Sequence, residues 1–389
     1  MEMLYILFVL QCIFLFYQSI TLRNLKRSLR KVQDKSIASM KKSDARLHHL
    51  YFSFDQVFKR FSMPPPLERV PLADETGIVL SVKKIEISQA PTAYNAGLVK
   101  QDDGYFMCFR IDTPIYARDT LSYVSDIGSI RLRRDFEPEE MSFSIIDTGS
   151  RHAEDARIFQ HQDQHYLLFN DLLAINQPRS LCLGALDIQK RRVDYLTSLD
   201  IKSGVVEKNW TPFSCEDGIH FLHTINPQKI IKLSDLKKQF ITSVSSNSLA
   251  LDWSKKWGPL RGGTPAQLID GEYLTFFHSS FEDCKGIRWY VMGACTFEAS
   301  PPFRMIRISS HPILFKGIYE TPIAGVAHPG VRSIYPVGFV VKERGNEEVI
   351  HVSCGENDSA IKLVTISKKA LFSGFVEIES IFQSKGSLS

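Results

Sequence analysis

The sequence is short of paired cysteines. Its seven, Cys12, Cys108, Cys182, Cys215, Cys284, Cys295 and Cys354, are scattered over 389 residues with no CxxC pair and no Cys/His spacing of a zinc site. Neither a disulfide framework nor a metal is expected, and the thiols read as free and buried. Glycine and proline are also sparse, at 22 and 18 residues, which excludes collagen-like and low-complexity sequence. A basic excess is missing from most of the chain. Between Arg23 and Arg60, eleven Lys and Arg against three Asp give +8; Glu2 subtracts one, so residues 61–389 carry −3 of the overall +4. A nucleic-acid-binding body would concentrate its cations on the folded part to neutralise phosphates, so nucleic acid is not an expected partner.

Charge is absent altogether from residues 3–22, an apolar run of the length that crosses a hydrocarbon core. No basic residue precedes it, as a cleavable signal would require. Arg23, Lys26, Arg27, Arg30 and Lys31 follow directly, which by the positive-inside rule keeps the remainder cytoplasmic. The expectation is a single-pass anchor over 1–22, a basic and aromatic stalk or linker over 23–75, and a folded body over 76–389. The rival is a secreted or lumenal body behind an N-terminal signal.

Long stretches of helical period are few beyond Pro71. Short apolar or alternating runs broken by turn residues predominate, which points to an all-β body. One phrase recurs: apolar residues, a polar turn often containing Asp-Gly, then alternating aromatic and apolar residues. Its turns fall at Asp103, Asp163, Asp217, Asp270 and Asn346, spaced by 60, 54, 53 and 76 residues. Each interval holds a four-stranded unit with its loops, and Asp-Gly supplies the positive φ of a tight hairpin. Five such units predict a five-bladed β-propeller. The strand before every turn opens with polar or small residues, TAYNAG, HAEDAR, VEKNWT, LRGGTP and GVRSIYP. In a propeller these openings meet in one funnel, the candidate site.

The openings also carry a family resemblance. From about Ile85 to Ile366 the chain resembles glycoside hydrolase family 130, five-bladed propellers that include β-mannoside phosphorylases and β-1,2-mannosidases, and their β-1,2-mannosyltransferase relatives. Glu154-Asp155-Ala156-Arg157-Ile158 is similar to the family's E-D-P-R-I segment, which implies Asp155 as the catalytic acid with Glu154 and Arg157 beside it. Asn95, Arg110 and Asp358 match the family's sugar-binding positions. Lys208, Asn209, Arg261, His278 and Tyr290 occupy places where the phosphorylases gather phosphate-binding groups. Two positions depart from the pattern: Ala156 and Ala96 stand where the family has proline.

Chemistry gives these residues the same work. Displacement at an anomeric carbon needs an acid to protonate the departing oxygen and a nucleophile on the opposite face. A phosphate nucleophile needs cations and donors rather than a second carboxylate; a hydrolase would need a base, for which Glu356 is the candidate. The expected ligands are a mannose-containing glycan or sugar phosphate, with inorganic phosphate as co-substrate and no cofactor. Three readings stand: a phosphorylase or hydrolase of β-mannosides, an anchored mannosyltransferase with a phosphorylated or nucleotide donor, and a catalytically silent interaction platform. The four tryptophans read as core. Two N-x-S/T sequons, at Asn209 and Asn357, fall inside the funnel motifs, where a glycan would block the site.

Overall fold

The structure, a computed structural model, describes residues 63–378 apart from 118–119, 173–178, 200–207, 234–241, 246–247, 325–326 and 346. The expected anchor, and the stalk up to residue 62, lie outside the described residues. Among the described residues no helix is long and apolar enough to cross a membrane.

The body is almost entirely β. A short helix, α1 (Pro65–Glu68), and strand β1 (Val79–Ile85) precede three four-stranded antiparallel sheets. The first comprises β2 (Tyr94–Gln101), β3 (Gly104–Ala117), β4 (Thr120–Leu132) and β5 (Ser144–Ile145). The second is β6 (Glu154–His161), β7 (Gln164–Asp171), β8 (Ser180–Asp187) and β9 (Arg192–Ser198). The third is β10 (Thr211–Cys215), β11 (Gly218–Thr224), β12 (Gln228–Lys232) and β13 (Thr242–Ser245). After helix α2 (Ser248–Trp257), the remaining strands form a ten-stranded sheet. It holds β14 (Leu260–Gly262), β15 (Gln267–Ile269), β16 (Glu272–Glu282), β17 (Arg288–Glu298) and β18 (Met305–Ser309). It also holds β19 (Val331–Arg344), β20 (Glu347–Glu356), β21 (Ala360–Ser367) and, beyond helix α3 (Lys368–Ser373), β22 (Phe375–Glu377). A parallel ladder of three residue pairs, Arg288–Tyr290 against Val331–Ser333, joins β17 to β19. On either side of it the pairing is antiparallel, so the sheet reads as two meanders. β1 completes the second of them by pairing with β21.

All five hairpins expected from the sequence are present, closing at Gln101/Gly104, His161/Gln164, Cys215/Gly218, Ile269/Glu272 and Arg344/Glu347. At the fourth, Asp270 and Gly271 both have positive φ, 50° and 84°, the geometry that matches the twist of the flanking strands. Four of the strands leading into these turns carry consecutive buried residues, Tyr94–Leu98 in β2, 156–159 in β6, 211–213 in β10 and, in β19, Arg332 to Val340; ahead of the fourth turn, Arg261 and Leu268 are exposed. The fourth leading strand departs from expectation, being split into β14 and β15. Thr264 occupies the gap, its N–H donating to Phe276 O at 2.9 Å and its Oγ1 accepting from Phe276 N at 3.0 Å. Pro265 follows and has no N–H to continue the ladder.

Apolar packing lies between successive sheets. Phe106, Cys108 and Ile127 of the first meet Ala156, Ile158 and Leu167 of the second. Leu168 and Leu181 of the second meet Trp210 and Phe221 of the third. Phe213 and Leu222 then join Phe276, Phe297, Phe339 and Val352, and Val340, Ile361 and Leu363 return to Leu98 and Met107 of the first. The sequence of contacts is cyclic. It closes tightly where β19 meets β2: a Cβ on Gly338 would lie 2.5 Å from the backbone nitrogen of Leu98, so only glycine admits this approach. Leu67 and Ala73 join the core as well. All four tryptophans are buried, as expected. The thiols divide: Cys108, Cys182, Cys295 and Cys354 are buried, Cys215 is half-buried and Cys284 is exposed. Cys284 is exposed because it lies in the turn between β16 and β17.

Candidate functional site

The polar openings of the leading strands converge. In β2 and β6 the register slips at the same place, between Tyr94 and Gly97 and between Glu154 and Arg157. Each bulge holds an Asn or Asp in the left-handed region, Asn95 at φ 50° and Asp155 at 55°; Asn209, before β10, has 65°. Asn and Asp tolerate this conformation better than other side chains. The bulges turn consecutive side chains toward the same space.

Asp155 is held by Asn95 Nδ2, which donates to its Oδ1 at 2.8 Å, and by Arg110 Nη1 at 3.5 Å. Burial pushes its carboxyl up, but Arg110, the Asn95 bond, Arg157 and Lys208 outweigh it and hold the group below the usual carboxylate range. Glu154 takes Arg110 at 3.1 Å, Arg179 at 2.7 Å and Lys208 at 3.7 Å. It still shifts upward, through burial and, secondarily, the charge of Asp155. Arg110 is fixed from behind by Asp112 at 2.8 Å, which accepts from Tyr94 and Ser125 at 2.5 and 2.6 Å. The Tyr94 and Tyr123 rings lie 5.2 and 5.5 Å from its guanidinium carbon. Asp358, in the β20–β21 turn, is pushed up to about 6 by burial and by Asp155, against Arg110.

Arg157 makes no ion pair with the Asp155 carboxylate. It is fully buried; Nη1 donates to the Asp155 carbonyl at 3.2 Å, Nε to the Gly263 carbonyl at 2.6 Å, and Nη2 to Asn209 Oδ1 at 3.2 Å and the Tyr335 hydroxyl. Tyr335 in turn donates to Asn209 Oδ1 at 2.5 Å. His278 packs against Tyr335 and Tyr290 at 4.5 and 6.0 Å between centroids, and pairs across the sheet with exposed Arg261. Burial, with Arg157 and Arg261, depresses the His278 imidazole to about 3. Within the phosphate-binding set expected from the resemblance, His278 thus offers a hydrogen bond rather than charge. Its Nδ1 has no hydrogen-bond partner among the described residues.

Asn95, Glu154, Asp155 and Asp358 thus gather around Arg110; Arg157 lies on the same strand as Asp155, Asn209 just before β10, Arg261 and His278 on the paired β14 and β16, and Tyr290 on β17. Glu356 is corrected as a base. It is fully buried, and accepts from Tyr319 N at 2.7 Å, from Thr321 Oγ1, and from Lys362 at 3.4 Å. Sequence reasoning missed Arg179, Asp112 and Tyr335. Tyr335 stands in the fifth polar opening and Asp112 shares a strand face with Arg110, whereas Arg179, in the β7–β8 connection, carries no local signal. Further along the same leading strands is a cavity of about 790 Å³, lined by Val99, Phe159, Phe213, Ala266 and Phe339 among others. It lies toward the turn ends, away from the carboxylates.

Solved structures share this architecture. The β-1,2-mannobiose phosphorylase from Listeria innocua, in complex with β-1,2-mannobiose, aligns with a TM-score of 0.52 at 14% identity over 81% of this chain and 96% of that one. A mannose phosphorylase from Leishmania mexicana, in complex with phosphate, aligns at 0.52 and 12% identity, covering 79% and 93%. A GDP-Man-dependent mannosyltransferase from the same organism aligns at 0.52 and 12%, covering 76% and 92%. The expected likeness holds at the level of fold. No protein-family profile and no curated protein matches the chain in sequence.

Proposed function

We propose that the chain is a carbohydrate-active enzyme that cleaves β-mannosides by inverting phosphorolysis or hydrolysis, with Asp155 as general acid, on a five-bladed propeller. The observation that carries this reading is the Asp155 carboxyl, fixed by Asn95 and Arg110 where the leading strands open, beside the buried Arg157. Five leading strands that also line one cavity, and the cyclic packing, support the propeller.

In the proposed reaction the Asp155 proton goes to the glycosidic oxygen as its bond to the anomeric carbon breaks. A phosphate oxygen forms the new bond from the opposite face, releasing a sugar 1-phosphate. Arg157, Lys208 and Arg261 neutralise the phosphate, while Asn209, His278 and Tyr290 supply hydrogen bonds. Arg110 and Asn95 orient the acid, and Asp358 binds sugar hydroxyls. No metal or organic cofactor takes part in this scheme. A transferase using the same site with an activated donor is the second reading, favoured by the apolar segment 3–22, which would hold the body near a membrane-borne acceptor.

The test is to incubate the protein with mannose 1-phosphate, GDP-mannose and a panel of mannosides, following released phosphate or nucleotide. Asp155→Asn is expected to lower turnover at least about 100-fold at an unchanged melting temperature. Turnover with GDP-mannose alone would assign the transferase; absence of turnover with every donor would leave an interaction platform.

A further inference from the structure

We propose that Cys215, Asp217 and His220 bind a zinc-class divalent cation at the turn of the third sheet, with its open coordination position facing the 790 Å³ cavity. The site lies at the opposite end of the leading strands from Asp155 and is independent of the carbohydrate reading.

The hairpin register builds it. Cys215 pairs with Gly218 and Phe213 with His220, so Cys215 and His220 project from the same face of the sheet, and Asp217 sits in the turn between them. One ligand atom from each lies within 4.8 Å of the other two. The groups around the triplet orient it. The His220 ring stacks on Phe213 at 5.3 Å and meets Phe303 edge-on at 5.4 Å. Its Nδ1 is 3.3 Å from the Gly218 carbonyl; a proton donated there leaves the Nε2 lone pair directed at the site, the usual support of a metal-bound histidine. Nε2 is 3.8 Å from Asp217 Oδ1, while the other carboxylate oxygen takes Lys232 at 2.6 Å. The two oxygens are thus divided between the triplet and an outer partner. Cys215 Sγ lies 3.2 Å from the Tyr273 hydroxyl, which donates to the Ser214 carbonyl at 2.6 Å.

A thiolate, an imidazole and a carboxylate form a donor set suited to zinc rather than to calcium or magnesium, which take oxygen. Three protein ligands leave a fourth tetrahedral position. Ser214, Cys215, Glu216 and Tyr273 all line the cavity, so that position is reachable by water or by a small ligand. The Cys-x-Asp-x-x-His spacing escapes a search for CxxC pairs because the turn, not the sequence interval, brings the atoms together. On binding, the sulfur–metal bond forms and the thiol proton passes to solvent, one per ion.

The full chain, purified in mild detergent and freed of metal with EDTA, is titrated with Zn²⁺ by calorimetry in two buffers of different ionisation heat, and with Co²⁺ by absorption. One ion per chain, about one proton released, and a thiolate-to-cobalt charge-transfer band in the near ultraviolet are expected. Cys215→Ser and His220→Gln should each weaken binding by roughly 10–100-fold or more, while Cys284→Ser, at the exposed thiol, changes nothing. If either variant fails to fold, Asp217→Asn carries the same test from a turn position. Absence of a stoichiometric ion, absence of the charge-transfer band, or unchanged zinc affinity in Cys215→Ser would overturn the site.

Discussion

Asn95, Asp155 and Asn209 share a left-handed backbone at the openings of three leading strands, which is why Asn and Asp recur there and why the site was legible in the sequence. The partners that tune it were less so: Arg179 reaches Glu154 from a distant connection, and the donors that disqualify Glu356 come from Tyr319 and Thr321, in a segment without a motif. The electrostatics make a prediction about Asp155. As an acid it acts protonated, so activity falls as pH rises through its pKa. In the free protein its pKa is depressed below the ordinary carboxylate value. In the proposed complex, phosphate beside Arg157 and Lys208 offsets those cations and raises it. The falling limb of kcat should therefore lie at higher pH than that of kcat/KM, which reports the free protein; coincident limbs would count against Asp155 as the acid. Gly355 gives a second test. A Cβ there would stand 1.9 Å from Asn95 Oδ1 and 2.8 Å from its backbone nitrogen. Gly355→Ala should displace Asn95 from Asp155 and lower kcat about 10–100-fold, with a lower melting temperature that Asp155→Asn does not share.

Among the elements, the hairpins were the most legible. Their turn residues are local, and a two-residue connection leaves little choice of register. Long-range pairings left no such mark. The parallel ladder between β17 and β19 and the capture of β1 by β21 depend on strands brought together by the whole body, and the split of β14 from β15 turns on the single Thr264 and its bonds to Phe276. β1 pairs with β21 from Val79 to Ile85 and buries Val79 and Ile85. A chain beginning at Glu86 instead of Met63 would leave the β21 edge open. We expect it to melt at lower temperature and to aggregate during refolding, as followed by thermal unfolding and light scattering; an unchanged melting curve would show that β1 is dispensable.

At the scale of the molecule, the five hairpins were readable from turn spacing, whereas the cyclic order of contacts between the sheets required the structure. Placement in the cell rests on sequence alone: the uncharged run 3–22 and the basic cluster after it lead us to propose a cytoplasm-facing body on a single anchor. The folded body shields the sequons in part. Asn357 is buried, its Nδ2 donating to the Tyr319 and Thr321 carbonyls at 2.9 and 2.8 Å, and Trp210 in the other sequon is fully buried. Protease applied from the extracytoplasmic side, outside intact cells, should leave the body whole; its digestion from that side would reverse the orientation and leave the fold untouched. The pairing of β1 with β21 also orders events in time. Val79 leaves the ribosome first among the strand residues and finds Ile366 only after nearly the whole body has been made, a wait of roughly 15–60 s at ordinary translation rates. Until then β1 waits for its partner, and the last sheet can be completed only once β21 has been made.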